Sequence, residues 1–314
     1  MKIKFWGVRG SIPTPLTPSQ LESKINAVVQ RMTPEDAADT QSRQSFLANL
    51  PDSLLNTIGG NTTCVEILLN DGTRIIIDAG TGIRELGLNL LKRKDSNKDF
   101  HLLFTHFHWD HVQGFPFFDP AYIPGNRFFF YSPLPGIEAY LQDQMKFPFY
   151  PVTMEGAMGA ERHFIQLPEG IFRLGSAEIS WRRVKHPGGC VSYKITEGEK
   201  SFVFSTDTEL LPRDFEKTPA NRGFYENVNV LIMDSQYTLD EAIEKYDWGH
   251  TSYSLAVDFA AAWNIPRLGL FHHEPKYGDN KIYSILNSAK WYLSHQDNSD
   301  IDIFLTTEGL ELII

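Results

Sequence analysis

The chain has 314 residues, of which 42% are hydrophobic and 22% are charged, so it can form a large packed core and is not disordered as a whole. Its formal net charge is −10, from 29 Lys and Arg residues against 39 Asp and Glu residues, and this balance argues against extended nucleic acid as a partner. Two cysteines are too few for a disulfide framework, and the first residues lack the apolar segment of a secretion signal. No apolar run approaches the ~18–20 residues that span a bilayer, so we expect a cytoplasmic protein without membrane contact.

The spacing of apolar residues predicts strands that alternate with helices. A first strand is predicted at 3–6, and the stretch 16–57, rich in Gln, Ser, Ala and Glu, is predicted to be a helical insertion. Further strands are predicted at 64–69, 74–77, 101–104, 177–184, 191–196, 201–205, 228–233, 267–271, 301–305 and 310–313. Helices are predicted at 83–91, 136–145, 252–263 and 281–295. This order indicates one α/β domain, 1–314, with two sheets and helices outside them.

The segment 115–168 is predicted to consist mainly of loops around the helix at 136–145. It contains two aromatic runs, 128–131 and 147–150, which we interpret as core rather than as a platform for a substrate. Together with the insertion at 16–57, these loops are expected to shape the substrate pocket.

Metal-binding chemistry is concentrated directly after the strand predicted at 101–104. The residues from 105 to 111 read THFHWDH and contain His106, His108, Asp110 and His111. Imidazole nitrogen and carboxylate oxygen are both suitable zinc ligands. In a looped backbone, the first two histidines can face one ion while the other two residues turn toward a second. Burying so many polar rings without metal would be costly, so the run predicts a metal site.

Further ligands are expected at the ends of three predicted strands. His186 follows the strand at 177–184, Asp207 follows that at 201–205, and His272 follows that at 267–271. We expect Asp207 to bridge two ions. The other ligands divide into one set for each ion: His106, His108 and His186 for the first, and Asp110, His111 and His272 for the second.

A further candidate is His250, in the sequence DWGHTS just before a predicted helix. A loop at this place can direct a side chain into a cleft, so we interpret His250 as a general acid or a donor to the transition state. Asp234, at the end of the strand at 228–233, would hold the ring oriented and protonated. The alternatives are a helix-cap histidine without a chemical role and an ordinary strand-end carboxylate. With Asp110, these two residues are the catalytic candidates.

The remaining acidic and histidine candidates are assigned to supporting roles. Asp78 is predicted to steady a ligand histidine or its loop without binding metal. His273 is predicted to point away from the site, because successive side chains of a strand face opposite directions. His101, His163 and His295 are interpreted as structural.

These motifs resemble those of the metallo-β-lactamase-fold hydrolases. The run at 105–111 matches the H-x-H-x-D-H signature of that superfamily, and His186, Asp207 and His272 match its later ligand motifs in order. The resemblance implies a four-layer αββα sandwich, which agrees with the predicted order of elements. The helical insertion near the N-terminus lies outside the region of resemblance.

Within the superfamily, the chain is most similar to the phosphodiesterase branch, which includes ribonuclease Z and cyclic-phosphodiesterase-like hydrolases. The similarity is carried by residues 5–13, 59–64, 186–189, 206–209 and 270–275. His250 with its flanking Gly and Thr corresponds to one ribonuclease motif. A second motif of that family corresponds to residues 233–237, where its glutamate is replaced by Asp234, one methylene shorter. The chain has no Gly/Pro-rich arm of the kind that grips tRNA, so small phosphodiesters are the expected substrates.

The resemblance also implies the chemistry. Two divalent ions, Zn²⁺ or else Mn²⁺, would share a hydroxide that attacks phosphorus. A homodimer is expected from the resemblance alone. Three alternatives remain open: a tRNA 3′-processing endonuclease, a hydrolase of carboxylic esters, lactones or thioesters, and a non-catalytic metal-bound scaffold.

Overall fold

Two mixed β-sheets face each other in the computed structural model, which describes residues 1–93, 96–296 and 300–314. The strands of the first sheet are β1 (Lys2–Gly7), β2 (Cys64–Leu68), β3 (Arg74–Ile77), β4 (Asp99–Leu103), β5 (Arg127–Ser132), β6 (Glu161–Gln166) and β14 (Glu311–Ile313). Their spatial order is β14-β1-β2-β3-β4-β5-β6. From β3 to β6 the strands run parallel to one another, so their carboxyl ends lie at the same edge of the sheet.

The second sheet is built in a similar way. Its strands are β7 (Ile171–Leu174), β8 (Ala177–Val184), β9 (Cys190–Glu197), β10 (Lys200–Ser205), β11 (Val230–Asp234), β12 (Arg267–Phe271) and β13 (Asp302–Leu305). Their spatial order is β13-β12-β11-β10-β9-β8-β7. From β10 to β13 the strands are parallel, which again gathers carboxyl ends at one edge. In open parallel sheets, ligand sites form beyond such edges.

Helices cover the outer faces of both sheets. The helices described are α1 (Pro18–Arg31), α2 (Pro34–Ala37), α3 (Thr40–Ala48), α4 (Asp52–Leu55), α5 (Gly82–Arg93), α6 (Trp109–Val112), α7 (Ile137–Asp143), α8 (Met154–Ala157), α9 (Pro212–Phe215), α10 (Pro219–Tyr225), α11 (Leu239–Glu244), α12 (Tyr253–Ala262) and α13 (Asp279–Leu293). Helix α5 packs on the first sheet, and α12 and α13 pack on the second. The layers are therefore α-β-β-α, which confirms the predicted sandwich.

Aromatic side chains fill the space between the two sheets. Phe271 on β12 contacts Phe204 on β10 and Phe5 on β1, with ring centroids 5.1 and 6.2 Å apart, respectively. The buried hydroxyl of Tyr193 on β9 donates a hydrogen bond of 2.8 Å to the carbonyl oxygen of Phe104, which follows β4. This bond ties the second sheet to the first just before the run at 105–111.

The insertion at 16–57 is helical, as predicted, and contains α1 to α4. None of the residues in these four helices is fully buried. Lys24 on α1 donates hydrogen bonds to the carbonyl oxygens of Ser53 and Asn56, and its ammonium group lies 2.9 Å from the carboxylate of Asp279 on α13. The insertion is therefore attached to the helical layer of the second sheet.

The segment 115–168 is more regular than predicted. The aromatic run at 128–131 lies inside β5, and β6 pairs with it in parallel. A strand covered on both faces lacks the alternation of polar and apolar residues by which strands are recognised, and this is why β5 was missed. The short elements β7 and α9 to α11 were also not predicted. Among the described residues, no helix combines the length and the apolar character needed to cross a membrane.

Candidate metal centre

The seven predicted metal ligands lie together beyond the carboxyl ends of the central strands. Each is supplied by a loop or short helix that follows a strand. They are His106 and His108 after β4, Asp110 and His111 on α6, His186 after β8, Asp207 after β10 and His272 after β12. All except His108 are buried. They form two clusters that share one residue.

The first cluster consists of His106, His108, His186 and Asp207, whose ligand atoms all lie within 4.8 Å of one another. Nε2 of His186 is 3.0 Å from Nδ1 of His108. The Nε2 atoms of His106 and His186 are each 3.7 Å from Oδ1 of Asp207. Three imidazole nitrogens and one carboxylate oxygen therefore converge, which is a donor set suited to zinc.

The second cluster consists of Asp110, His111, Asp207 and His272. Nε2 of His272 lies 3.3 Å from Oδ2 of Asp110 and 3.3 Å from Oδ2 of Asp207. Nε2 of His111 lies 3.4 and 3.1 Å from the same two oxygens, respectively. Two imidazoles and two carboxylates face one another here, so this cluster is richer in negative charge than the first.

Asp207 joins the two clusters because its two carboxylate oxygens face different ways. Oδ1 faces the histidines of the first cluster, and Oδ2 faces those of the second. The residue has a positive φ of 48°, a conformation that costs non-glycine residues free energy and is concentrated at functional sites. A carboxylate with one oxygen toward each cluster is suited to bridging two ions.

Buried hydrogen bonds fix the direction in which the ligand rings point. Nδ1 of His111 donates to Oδ2 of Asp78 at 2.8 Å, and the hydroxyl of Thr105 donates to the same oxygen at 2.7 Å. Since the Thr105 hydroxyl has used its proton, it accepts from Nδ1 of His106, 3.1 Å away. Both rings therefore present Nε2, unprotonated when the ring is neutral, to the centre. Asp78 contacts a ligand histidine and lies outside both clusters.

His186 is oriented by the backbone of another loop. Its Nδ1 donates to the carbonyl oxygen of Gly249 at 2.9 Å, which leaves Nε2 for the first cluster. Gly249 has φ +89°, and a Cβ at this position would lie 2.2 Å from Nδ1 of His186. Glycine is required here both for the backbone conformation and for the close approach of the ring.

The first cluster is in a state suited to binding metal. Nε2 of His106 is buried without a hydrogen-bond partner within the described residues, which is costly in a folded protein unless a ligand satisfies it. Burial lowers the pKa of His106 well below its usual value and also lowers the pKa values of His108 and His186. The three rings are therefore neutral near pH 7, which is the form that binds a metal ion.

The second cluster fits a cation for an electrostatic reason. Burial would lower the pKa of His111, but Asp207, Asp110 and Asp78 outweigh it and raise that pKa well above its usual value. Burial is likewise outweighed at His272, where Asp207 and Asp110 raise the pKa to about 9. Protons on the two rings balance the buried carboxylates. A divalent cation would supply the same positive charge, so both clusters fit a metal.

His250 and Asp234 lie beside the second cluster. Nδ1 of His250 donates to Oδ2 of Asp234 at 2.7 Å, so the shorter carboxylate reaches the ring. Oδ1 of Asp234 accepts from the backbone N–H of Thr251 at 3.0 Å and of Gln236 at 3.2 Å. The ring of His250 stacks on that of His272, with centroids 4.9 Å apart and planes inclined by 15°. Both carboxylate oxygens of Asp234 are therefore hydrogen-bonded, and the fixed carboxylate holds the ring of His250 beside the metal centre.

Sequence reasoning assigned no role to Ser11 individually. Its backbone N–H donates to Oδ2 of Asp110 at 2.7 Å, and its own φ is +62°. The neighbouring Gly10 approaches His272 so closely that a Cβ would lie 2.5 Å from the ring. The turn-rich segment at 9–13 was the sequence signal for a special backbone conformation at Ser11. It could not indicate the contact with Asp110, because the two residues are 99 positions apart.

The other histidines lie outside the two clusters. Nε2 of His273 donates to the carbonyl oxygen of Thr306 at 2.9 Å, so this ring points away from the centre, as predicted. His101 is half-buried and contacts the hydroxyl of Tyr131 at 3.1 Å. His163 and His295 are exposed at other places on the surface.

The interpretation of the two aromatic runs as core is correct for the run at 128–131 and wrong for the two phenylalanines of the run at 147–150. Phe128 and Phe130 are fully buried in the core. Phe147 and Phe149 are 86% and 77% exposed, and Phe149 lines a cavity that reaches His106. Tyr150 is partly buried against the core, so the interpretation fails for the two phenylalanines of this run.

Replacing the shared carboxylate should empty both clusters. In Asp207→Ala each ion loses a ligand and the negative charge that attracts it, so we expect far less metal than in the parent protein, measured by elemental analysis after dialysis. Asp302→Ala, which removes an exposed carboxylate from β13, is the control and should retain full metal. Normal metal content in Asp207→Ala would contradict the bridging position.

Gly249→Ala should weaken metal binding through His186. Gly72→Ala is a matched control, because Gly72 has a similar φ of +87° but no atom within 4 Å of an added Cβ. Both variants should lose about 1–2 kcal/mol of stability to backbone strain. We expect only Gly249→Ala to lose metal affinity, at least ~10-fold, in a competition with a chelator, in line with losses seen when groups behind metal ligands are removed. Equal affinity of the two variants would show that Gly249 does not position the ring.

Comparison with known proteins places the chain in a family. Residues 73–273, more than half of the chain, match the family model described as a beta-lactamase superfamily domain. Ribonuclease Z from Picrophilus torridus is 34% identical over 114 residues, which are 36% of this chain and 31% of that protein. The match therefore spans about a third of the length of this curated relative.

Solved structures share the fold over the whole chain. The metallo-beta-lactamase fold protein YhfI from Bacillus subtilis is 15% identical with a TM-score of 0.65, covering 99% of this chain and 98% of that one. Zn²⁺-bound PqqB from Methylobacterium extorquens is 14% identical with a TM-score of 0.64, covering 100% of both chains. The sandwich, the matched region and the order of the motifs agree: this chain belongs to the beta-lactamase superfamily.

Proposed function

We propose that this protein is a hydrolase that uses two divalent metal ions to cleave small phosphodiesters. The observation that carries the proposal is the position of Asp207, whose two oxygens face two separate clusters of histidines. Two ions held side by side are suited to an in-line displacement at phosphorus, because one can stabilise the attacking oxygen and the other the leaving oxygen.

The two clusters would hold the ions with different donor sets. His106, His108, His186 and Asp207 would bind one ion, and Asp110, His111, His272 and Asp207 the other. Nitrogen and carboxylate ligands without sulfur favour Zn²⁺ and also admit Mn²⁺. When bound, the ions would lower the pKa of water toward ~7 and neutralise charge on the phosphoryl oxygens.

His250 would donate a proton to the departing oxygen. Its Nδ1 is held by Asp234, so Nε2 is the nitrogen available to a substrate, and the ring lines the cavity that contains Asp207 and His272. The carboxylate partner fixes the orientation and the tautomer of the ring, as in other His–Asp pairs. General acid catalysis of this kind contributes about 10²–10⁴ in rate.

The backbone N–H of Ser11 would stabilise Asp110 as a ligand. It donates to Oδ2, the oxygen that faces the second cluster, and so fixes the carboxylate in place before metal arrives. A carboxylate that a hydrogen bond already holds loses less conformational freedom when it binds a metal ion. It also accepts a narrower range of metal positions.

A second candidate is a tRNA 3′-processing endonuclease. It is favoured by the 34% identity with ribonuclease Z over 114 residues. The net charge of −10 argues against it, because binding to a long polyanion is normally driven by neutralisation of phosphates. We therefore place small diesters first.

The proposed location is the cytoplasm. Cys64 and Cys190 are both buried and unpaired, and burial raises the pKa values of both thiols well above the usual range. Such thiols are unreactive and are compatible with a reducing compartment.

The proposal is tested with a substrate panel on one metal-analysed sample. We expect turnover of bis-p-nitrophenyl phosphate and of 2′,3′- or 3′,5′-cyclic nucleotides, and no turnover of a lactone. Efficient cleavage of a precursor tRNA, falling steeply with salt, would instead support the nuclease. Turnover of the lactone without the diesters would refute a phosphodiesterase.

His250→Ala should affect substrates according to their leaving groups. A cyclic nucleotide releases an alkoxide, which needs a proton, so we expect its hydrolysis to slow at least ~100-fold. p-Nitrophenolate leaves without a proton, so its diester should be affected much less. Metal content should be unchanged, and His295→Ala, which removes an exposed histidine beyond α13, should behave like the parent. Equal slowing of both substrates would exclude His250 as the proton donor.

A further inference from the structure

Two cavities meet at the candidate metal centre. The first, here called the metal cavity, has a volume of about 410 Å³ and contains Asp207, His250 and His272. The second, here called the aromatic cavity, has a volume of about 820 Å³ and is lined in part by His106. Phe107, His108 and Trp109 line both. A group attached to an atom at the metal centre can therefore extend into the aromatic cavity.

The aromatic cavity is walled by rings that are left partly uncovered. Phe149 is 77% exposed, and Phe117 is 54% exposed. Phe107 packs against Tyr140 with centroids 5.0 Å apart, and Phe117 packs edge-on against Tyr150 at 5.8 Å. Concave apolar surface of this size next to a reactive centre is characteristic of a site for an organic ligand. Flat rings provide the best complement to such walls.

One hydrogen-bond donor on the wall is open to an occupant. The guanidinium group of Arg183 is exposed and forms no side-chain hydrogen bond or ion pair with any residue in the ranges described. Arg183 can also stack on an aromatic ring. An occupant with an acceptor at the edge of its ring could receive a hydrogen bond from this guanidinium group.

The position of His250 determines which part of a substrate enters the aromatic cavity. His250 lines the metal cavity, and it does not line the aromatic one. A leaving oxygen that receives a proton from His250 lies on that side of phosphorus. The ester group that remains on phosphorus is then directed past Phe107 and His108 toward the aromatic rings.

We propose that the aromatic cavity binds the ester group retained on phosphorus and selects phosphodiesters in which that group is, or carries, a flat aromatic or heteroaromatic ring. This inference rests on the proposed phosphodiesterase function. Water attacks phosphorus and releases one proton to solvent, and the bond to the leaving oxygen breaks. A departing alkoxide takes the proton of His250, which solvent then reprotonates, and the product is a monoester that still carries the ring.

The test compares diesters with one leaving group and different retained groups. p-Nitrophenyl phenyl phosphate and p-nitrophenyl ethyl phosphate both release p-nitrophenolate. After correction for their rates in hydroxide, we expect kcat/KM to be about tenfold higher for the phenyl ester, the size of a good aromatic contact. A 3-pyridyl ester, which adds an acceptor, should exceed the phenyl ester.

Variants locate the preference in the cavity. Phe149→Ala should reduce the phenyl-to-ethyl ratio about fivefold. Because that ring is exposed, its removal should not unfold the protein, and metal content should stay unchanged. Trp291→Ala removes an aromatic ring that is 65% exposed on α13 and does not line the cavity, so it should leave the ratio unchanged. An unchanged ratio in Phe149→Ala would overturn the assignment.

Binding is measured separately from turnover. Diphenyl phosphate lacks a good leaving group, so it serves as a ligand in calorimetry, and we expect it to bind about tenfold more tightly than diethyl phosphate. Equal affinities together with equal corrected kcat/KM values would overturn the cavity inference and leave the phosphodiesterase intact. Failure of the metal-loaded protein to hydrolyse any of the diesters would refute the proposed function, and the inference with it.

Discussion

The site depends on one electrostatic constraint: the buried carboxylate of Asp207 faces two clusters of histidines and must be balanced by positive charge. Neighbouring His272, His111 and His106 hold its pKa well below the usual range despite burial, so it stays ionised. In the chain alone, protons on the histidines of the second cluster provide the balance. Two divalent ions would provide it more completely and would also satisfy Nε2 of His106, which has no hydrogen-bond partner among the residues that the structure describes. The carboxylate of Asp207 therefore connects the two clusters both by its position and by its charge.

The sandwich brings these groups together by stacking two sheets with parallel strands. The end of β4 in the first sheet thereby meets the ends of β10, β11 and β12, which are neighbours in the second sheet. Groups outside the clusters then fix the rings. Asp78 holds His111, and the carbonyl oxygen of Gly249 holds His186. Because these partners are buried, the ligand directions are set by the folded protein and need little adjustment when metal binds.

Much of the site could be predicted from sequence because its ligands have a local pattern. Four of them lie in the run at 105–111, and the other three follow strands whose apolar pattern is clear. The contact of Ser11 with Asp110 was not predictable, because it depends on how β1 and α6 meet across the fold. Whether the shorter side chain of Asp234 forms a hydrogen bond with His250 depends on the distance between their backbones, which the sequence does not give. The exposure of Phe149 was missed because an aromatic run has the same composition in a core strand and in an uncovered loop.

The centre and the aromatic cavity together explain how a family fold would acquire selectivity in this chain. The clusters supply the chemistry, and the loops after α6 and α7 supply the walls that touch the rest of a substrate. The most direct test of the central claim is a crystal structure of the purified protein with anomalous diffraction recorded at the absorption edge of the bound metal. The account predicts two peaks about 3.5–4 Å apart, each in contact with a different oxygen of Asp207. A single peak, or Asp207 in contact with one ion only, would contradict it.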